Sequence, residues 1–278
     1  MKSRWLAIVA LAALAAALAV IVHFAPHSDV RATFPLSSLA AREVRLIRIE
    51  HSARPATVLK REGELWHITA PLNAPAEPFQ VDRLLAILSA RSPQRTAPTE
   101  LARFELDPAP IQITFDAQTL SFGMVNSVTR EQYVLTGGAV FVTEPRYAAA
   151  VPLDPMPLVR RRLFAEGAVP VRVELPEFSL ARSDTGWIMA PAREGLSQDD
   201  FNRFAEHWAL ATATHVGQPT ARPVLAAVRI AFKDGAKVEL EVVQREPVLV
   251  LRHRGFQIEY TLPAASARAL LTAPGAPR

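Results

Sequence analysis

Through most of the chain beyond residue 40, apolar and polar residues alternate with a period of two, the signature of half-buried strands. Val44-Arg45-Leu46-Ile47-Arg48-Ile49 alternates in this way. Residues 57–61 then lead through Glu62-Gly63-Glu64 into Leu65-Trp66-His67-Ile68, a hairpin ending at Ala70-Pro71. The pattern returns later: residues 169–175 alternate, and residues 178–182 turn through Ser183-Asp184-Thr185-Gly186 into Trp187-Ile188-Met189, ending at Ala190-Pro191. The two Trp-led strands line up.

After each hairpin the period changes to 3.6. Residues 80–89 put Val81, Leu84, Leu85 and Leu88 on one helical face, and residues 198–211 do the same with Phe201, Phe204, Ala205 and Trp208. Alternation then resumes in both halves. Ile111-Gln112-Ile113-Thr114-Phe115 answers Val228-Arg229-Ile230-Ala231-Phe232, and Leu120-Ser121-Phe122 answers Val238-Glu239-Leu240-Glu241-Val242. A Gly-centred hairpin closes each half, at Gly137-Gly138 and at Gly255. The expectation is an α+β chain carrying two repeated antiparallel-sheet-plus-helix units, residues 29–150 and 168–263. Between them lies a Pro-rich junction, 151–167, with a short basic helix, and after them a flexible tail, 264–278.

A different pattern precedes the first unit. Residues 5–24 contain no Asp, Glu, Lys or Arg, and about 20 helical residues reach about 30 Å, one hydrocarbon core. Trp5, Leu6, Ile8, Val9, Leu11, Leu14, Leu18, Val20, Ile21, Val22 and Phe24 are the expected lipid-facing residues of an N-terminal transmembrane helix. Lys2 and Arg4 stand before it, so the positive-inside rule leaves the N-terminus cytoplasmic and the body periplasmic. This reading makes the chain a single-pass inner-membrane protein, with residues 1–28 as tip and anchor. A cleaved signal peptide is the alternative, since Ala15-Ala16-Ala17 or Ala17-Leu18-Ala19 fits a cleavage site. The apolar run continues through Val20-Ile21-Val22, which favours the uncleaved anchor.

Composition adds exclusions more than functions. Half of the residues are hydrophobic and 21% are charged, a balance for packed cores. There is no cysteine, which excludes disulfides, thiolate metal sites and a lipidated N-terminal Cys. The net charge of +4 is spread over 278 residues, and only Lys2, Lys60, Lys233 and Lys237 are lysines, so nothing concentrates charge for nucleic acid.

Leu65-Trp66-His67-Ile68-Thr69-Ala70-Pro71, the helix that follows, and Phe104-Glu105-Leu106-Asp107-Pro108-Ala109-Pro110 before an alternating strand resemble the domain of unknown function 4340 family. The family's turn carries a Gly where this chain has Glu105. The resemblance spans about residues 40–260 and implies a membrane-anchored envelope protein with a non-catalytic domain. Components of ABC-type transport systems are the implied partners. It supplies no catalytic or ligand residues.

A search for chemistry finds little. The histidines at 23, 27, 51, 67, 207, 215 and 253 show no metal-ligand spacing. Asp199-Asp200 follows Ser197 at a helix start, where carboxylates cap and complement the helix dipole. Gly137-Gly138 has no following helix and no Lys-Ser/Thr, so it reads as a turn and not a phosphate cradle. Trp66 and Trp187 could flank a groove but are better read as a core plug in each unit. Arg160-Arg161-Arg162, flanked by Leu158, Val159, Leu163 and Phe164, is the one candidate contact, for lipid head groups or an acidic partner, against the plainer reading of a solvated junction. The expected function is a non-enzymatic accessory protein, without cofactor or metal, docking other envelope components. The alternative is a lipid- or polysaccharide-binding module with a cleft at the junction.

Overall fold

The computed structural model describes residues 33–275. A short pair of strands opens it, β1 (Phe34–Pro35) with a later strand, followed by the hairpin ladder β2 (Leu46–His51), β3 (Thr57–Glu62), β4 (Leu65–Ala70) and the two-residue β5 (Ala74–Pro75). Helix α1 (Pro78–Leu85) leads to β6 (Arg91–Ser92), the partner of β1, and β7 (Arg95–Thr96). The meander β8 (Ile111–Phe115), β9 (Gln118–Val125), β10 (Gln132–Thr136) and β11 (Ala139–Thr143) follows, then the single turn α2 (Arg146–Ala149). The remaining chain runs β12 (Pro170–Glu174), β13 (Ser179–Ser183), β14 (Gly186–Ala190), α3 (Gln198–Ala209), β15 (His215–Gly217), β16 (Ala226–Phe232), β17 (Lys237–Gln244), β18 (Leu249–His253), β19 (Ile258–Leu262) and α4 (Ala264–Leu271).

Two large antiparallel sheets result, ordered β5-β4-β3-β2-β8-β9-β10-β11-β7 and β14-β13-β12-β16-β17-β18-β19-β15. In each, a strand that follows the helix joins the far edge: β7 pairs with β11 and β15 with β19. Each helix therefore carries the chain from one sheet edge to the other. On α3 the apolar stripe Phe201, Phe204, Ala205 and Trp208 is buried, which is what its 3.6 period requires. Its start is fixed by a capping box: the Ser197 hydroxyl accepts from Asp200 N–H at 3.3 Å, and Ser197 N–H donates to the Asp200 carboxylate at 2.9 Å.

The Trp-led strands differ by one residue, since five positions separate Trp66 from Pro71 and four separate Trp187 from Pro191. The β3–β4 ladder absorbs the extra residue as a bulge at Thr69, opposite Val58 and Leu59. Gly137 and Gly138 both have positive φ, 55° and 71°, and close the two-residue β10–β11 turn.

Several expectations need correction. The described residues are mostly antiparallel β-sheet in three sheets, not α+β, because the helices are short and the alternating segments dominate. Among the described residues no helix is long and apolar enough to cross a membrane. The longest, α3, has 12 residues, about 18 Å against the 30 Å of a hydrocarbon core. The stretch read as an anchor, with Trp5 through Phe24, lies outside the described residues, and the transmembrane, single-pass and inner-membrane readings are withdrawn. The tail is not wholly irregular: α4 forms within it and buries Leu270. At the junction only Met156–Leu158 is helical, a single 3-10 turn, and the arginines lie beyond it.

Candidate functional site

The Arg160-Arg161-Arg162 run lies in an extended strip hydrogen-bonded on both sides. Toward the first unit, Glu77 N–H donates to Leu158 C=O at 2.7 Å and Arg160 N–H to Pro75 C=O at 2.9 Å. Toward the second, Leu163 N–H donates to Ala211 C=O at 3.0 Å and Ala213 N–H to Arg161 C=O at 2.9 Å. Leu158, Val159, Leu163 and Phe164 are buried in one continuous core with both sheets. The strip is thus packed into the core, and beside it a hollow of about 350 Å³ is lined by Met156, Pro157, Arg161 and Val216 among others, where the alternative reading puts its cleft. Arg161 is exposed, while Arg160 and Arg162 are half-buried.

The Trp-led strands sit at corresponding places in the two sheets but are finished differently. In the first unit, β5 lies along the outer edge of β4, pairing Ala74 with Ile68, and Ala76 N–H donates to Trp66 C=O at 2.8 Å. In the second unit no strand lies beyond β14 among the described residues. Instead the Gln198 side chain reaches back from the first turn of α3. Its Oε1 accepts from Trp187 N–H at 2.7 Å and its Nε2 donates to Trp187 C=O at 2.9 Å. One side-chain amide thus replaces one residue of a neighbouring strand. It fits closely, because a Cβ on Gly186 would lie 2.6 Å from Gln198 Oε1.

Antiparallel ladders alternate which residues bond inward. Trp187 bonds outward to Gln198, so Met189, two residues on and paired with Leu180, also presents its N–H and C=O outward. Ile188 between them is 57% exposed. Trp187 itself is core, with Nε1 donating to Asn202 Oδ1 at 2.9 Å, and Trp66 packs partly buried against the same core. The outward groups of Met189, itself only 5% exposed, have no hydrogen-bond partner among the described residues, so the edge is unfinished beyond Trp187, a place where a further strand can add.

A second feature that sequence reading missed is a hollow of about 520 Å³ beneath α2, lined by His51, Ile111, Val125, Gln132, Ala148 and Leu153 among others, with no charged residue. Gln132 is 6% exposed, and its Nε2 donates to Gly123 C=O at 3.0 Å while its Oε1 has no protein partner. His51 Nε2 lies 3.0 Å from Pro152 C=O, so that nitrogen carries the proton.

The most buried charges lie on the outer face of the second sheet. Glu241, Arg252 and Glu259 stand side by side on β17, β18 and β19. Arg252 donates to Glu259 Oε1 through Nε (3.0 Å) and Nη2 (2.8 Å), to Glu241 through Nη1 (3.4 Å), and to the carbonyls of Thr220 and Arg222 (2.7 and 3.1 Å). Burial pushes the Glu259 carboxyl up, but the Thr220 N–H, Arg252 and the Thr220 hydroxyl outweigh it and hold it below its ordinary value. Through the Thr220 and Arg222 carbonyls this cluster fastens the segment before β16 to the sheet. Among the described residues no group of three or more His, Asp or Glu is placed to hold a metal ion.

No curated protein and no solved structure matches this chain. A family model described as "Domain of unknown function (DUF4340)" matches residues 66–223. That match runs from Trp66 on β4, through the junction and the whole β12–β14 ladder with α3, to the segment before β16. Covering more than half of the sequence, it establishes that the chain belongs to the DUF4340 family.

Proposed function

We propose that this protein is a non-enzymatic docking module that takes an extended segment of a partner protein along β14. The contrast between the two sheet edges carries this reading. On β4 the chain supplies its own covering segment, Leu72-Asn73-Ala74-Pro75-Ala76, while on β14 Gln198 serves only Trp187. The internal counterpart also indicates the chemistry of the occupant: an extended stretch of small, apolar side chains, fitting over Ile188. Components of an ABC-type transport system are the partners that the family resemblance implies.

A photo-crosslinking residue at position 188, with the more exposed Val128 as control site, tests this in the producing cell. The expected result is one partner, crosslinked through an extended segment and lost when Ile188→Lys is combined with a crosslinker at Arg193, since a lysine on an edge strand opposes strand addition. Equal capture at positions 188 and 128, or capture indifferent to Ile188→Lys, refutes it.

The hollow beneath α2 favours a second reading, the binding of an uncharged, lipid-like molecule. Its neutral, mostly apolar wall with a single unmatched acceptor, Gln132 Oε1, suits an alkyl body with one hydroxyl or amide N–H far better than a polysaccharide. Displacement of an apolar fluorescent probe by a long-chain alcohol, abolished by Ala149→Trp at the mouth, is the expected result. Equal probe binding by that variant rejects it.

A further inference from the structure

Arg160 and Arg162 are two residues apart in extended chain, a spacing that puts their side chains on the same side of the strip. Both are half-buried where the two units meet, and the Nε of each is fully enclosed without a hydrogen-bond partner among the described residues. The carboxylate of Glu77, which acts on Arg160, is engaged elsewhere: its Oε2 accepts from Arg161 N–H at 3.1 Å. The neighbour on the other side is Tyr260 on β19, 1% exposed, whose hydroxyl is pushed up to about 12 by burial, against the pull of the Arg160 charge. It stays protonated across the neutral range and offers an O–H.

Two cations and an O–H thus meet here with one carboxylate, Glu77, whose Oε2 takes the Arg161 N–H and whose charge acts on Arg160. Burial, the larger influence, and the Arg162 charge hold the Arg160 guanidinium below its ordinary value, against the smaller help of Tyr260 and Glu77. Each enclosed Nε–H is a donor without a partner, and a ligand that accepts from it offsets the cost of leaving it so.

We propose that Arg160, Arg162 and the Tyr260 hydroxyl form an oxyanion site at the seam of the two units, taking a phosphate-type group. Guanidinium forks match such groups with paired N–H···O bonds, and four oxygens serve two guanidinium groups and a phenol where a carboxylate's two do not. The site is built by the strip that hydrogen-bonds β5 on one side and residues 211–213 on the other, so occupation holds the units together. Arg161, on the opposite side, takes no part. Carried free or as a lipid head group, the phosphate group presents the same oxygens.

The test uses the full chain, inorganic phosphate, and vesicles of phosphatidylglycerol or phosphatidylcholine. Saturable phosphate binding by calorimetry, absent in chloride of equal ionic strength, should weaken at least tenfold in Arg162→Gln and stay within twofold in Arg161→Gln. Phosphate should also shield Arg160 and Arg162 of the unaltered protein from phenylglyoxal, a readout that needs no variant to fold. Binding to phosphatidylglycerol but not phosphatidylcholine vesicles, lost in Arg162→Gln, identifies a head group as the source; binding of inorganic phosphate alone identifies the free ion. No saturable binding of either, an equal loss in Arg161→Gln, or unprotected arginines overturns the proposal.

Discussion

Replacing Arg252 by glutamine should destabilise the second sheet more than any other single surface-face substitution, and in a pH-dependent way. Arg252 is 15% exposed and stands between two carboxylates that are each 5% exposed. Removing one partner of a buried ion pair costs about 3–5 kcal/mol, mostly because the other charge is left behind. Glu241 keeps Arg254, and Glu259 keeps the Thr220 N–H and hydroxyl at 2.9 and 3.0 Å. The lower end, about 3 kcal/mol, is therefore expected. For a chain of this size it corresponds to a fall of about 6–12 °C in melting temperature.

The pH dependence separates lost charge pairing from lost packing. In the wild type Glu259 is held below its ordinary value, so its contribution is present above the unfolded carboxylate pKa, about 4.3, and is lost as pH falls through the lower folded value. In the variant, burial is opposed by fewer donors and the folded value rises. Glu259 then favours the fold only while protonated, and that contribution is lost as pH rises. The deficit of Arg252→Gln should accordingly be larger at pH 7 than at pH 4.5, by about 1.4 kcal/mol for each unit of rise. Urea titrations followed by tryptophan fluorescence at both pH values measure it. A deficit under about 0.5 kcal/mol, within the range of ordinary surface substitutions, or one equal at the two pH values refutes the reasoning.

Three further outcomes are expected. Glu105 has a left-handed φ of 55°, where a non-glycine residue is strained by about 1–2 kcal/mol; Glu105→Gly should stabilise by about 0.5–1 kcal/mol after the added freedom of the unfolded chain, and urea midpoints read it. Gly123→Ala should cost about 1–3 kcal/mol or more, because its Cβ would run into the Phe104 carbonyl oxygen; a variant as stable as wild type contradicts the close approach. His253 is held below its ordinary value, chiefly by burial, and its Nδ1 accepts from Phe256 N–H at 3.2 Å, a bond that only the neutral ring makes. Stability should thus fall as pH drops below about 6.5, and His253→Asn should flatten that fall in melting curves between pH 7 and 5.

What the sequence could show depends on whether a feature is local. The strands from Ile111, Val228 and Lys237 are legible because alternation records one buried and one open face. The same rule misreads Glu241 and Glu259, which occupy polar positions in their strands yet are buried, because residues 218–225 cross over that face. Nothing within β17 or β19 records that covering. The arginine run is visible as a charge cluster, but its extended form is imposed by β5 and residues 211–213, whose positions along the chain are remote from it. Glu105 shows the converse: its backbone is left-handed, and nothing in the residue type records it.

The edge at β14 belongs to the same class of non-local fact. Both Trp-led strands need a partner for the outward groups of their tryptophan, and the chain meets the need with backbone in one unit and with a side chain in the other. A backbone segment running along an edge serves successive outward residues, Trp66 and then Ile68. A single amide serves one, because its N–H and C=O are both spent on Trp187. The outward groups of Met189 are left over for that reason. Gln198 also starts α3 and closes against Gly186, so it blocks any segment from covering Trp187 and sets the point from which an incoming strand must begin. Such an edge is closed where pairing with a long strand would start and open for about one pair of residues. That geometry admits a short, extended segment and disfavours the long edge-to-edge pairing through which exposed strands aggregate.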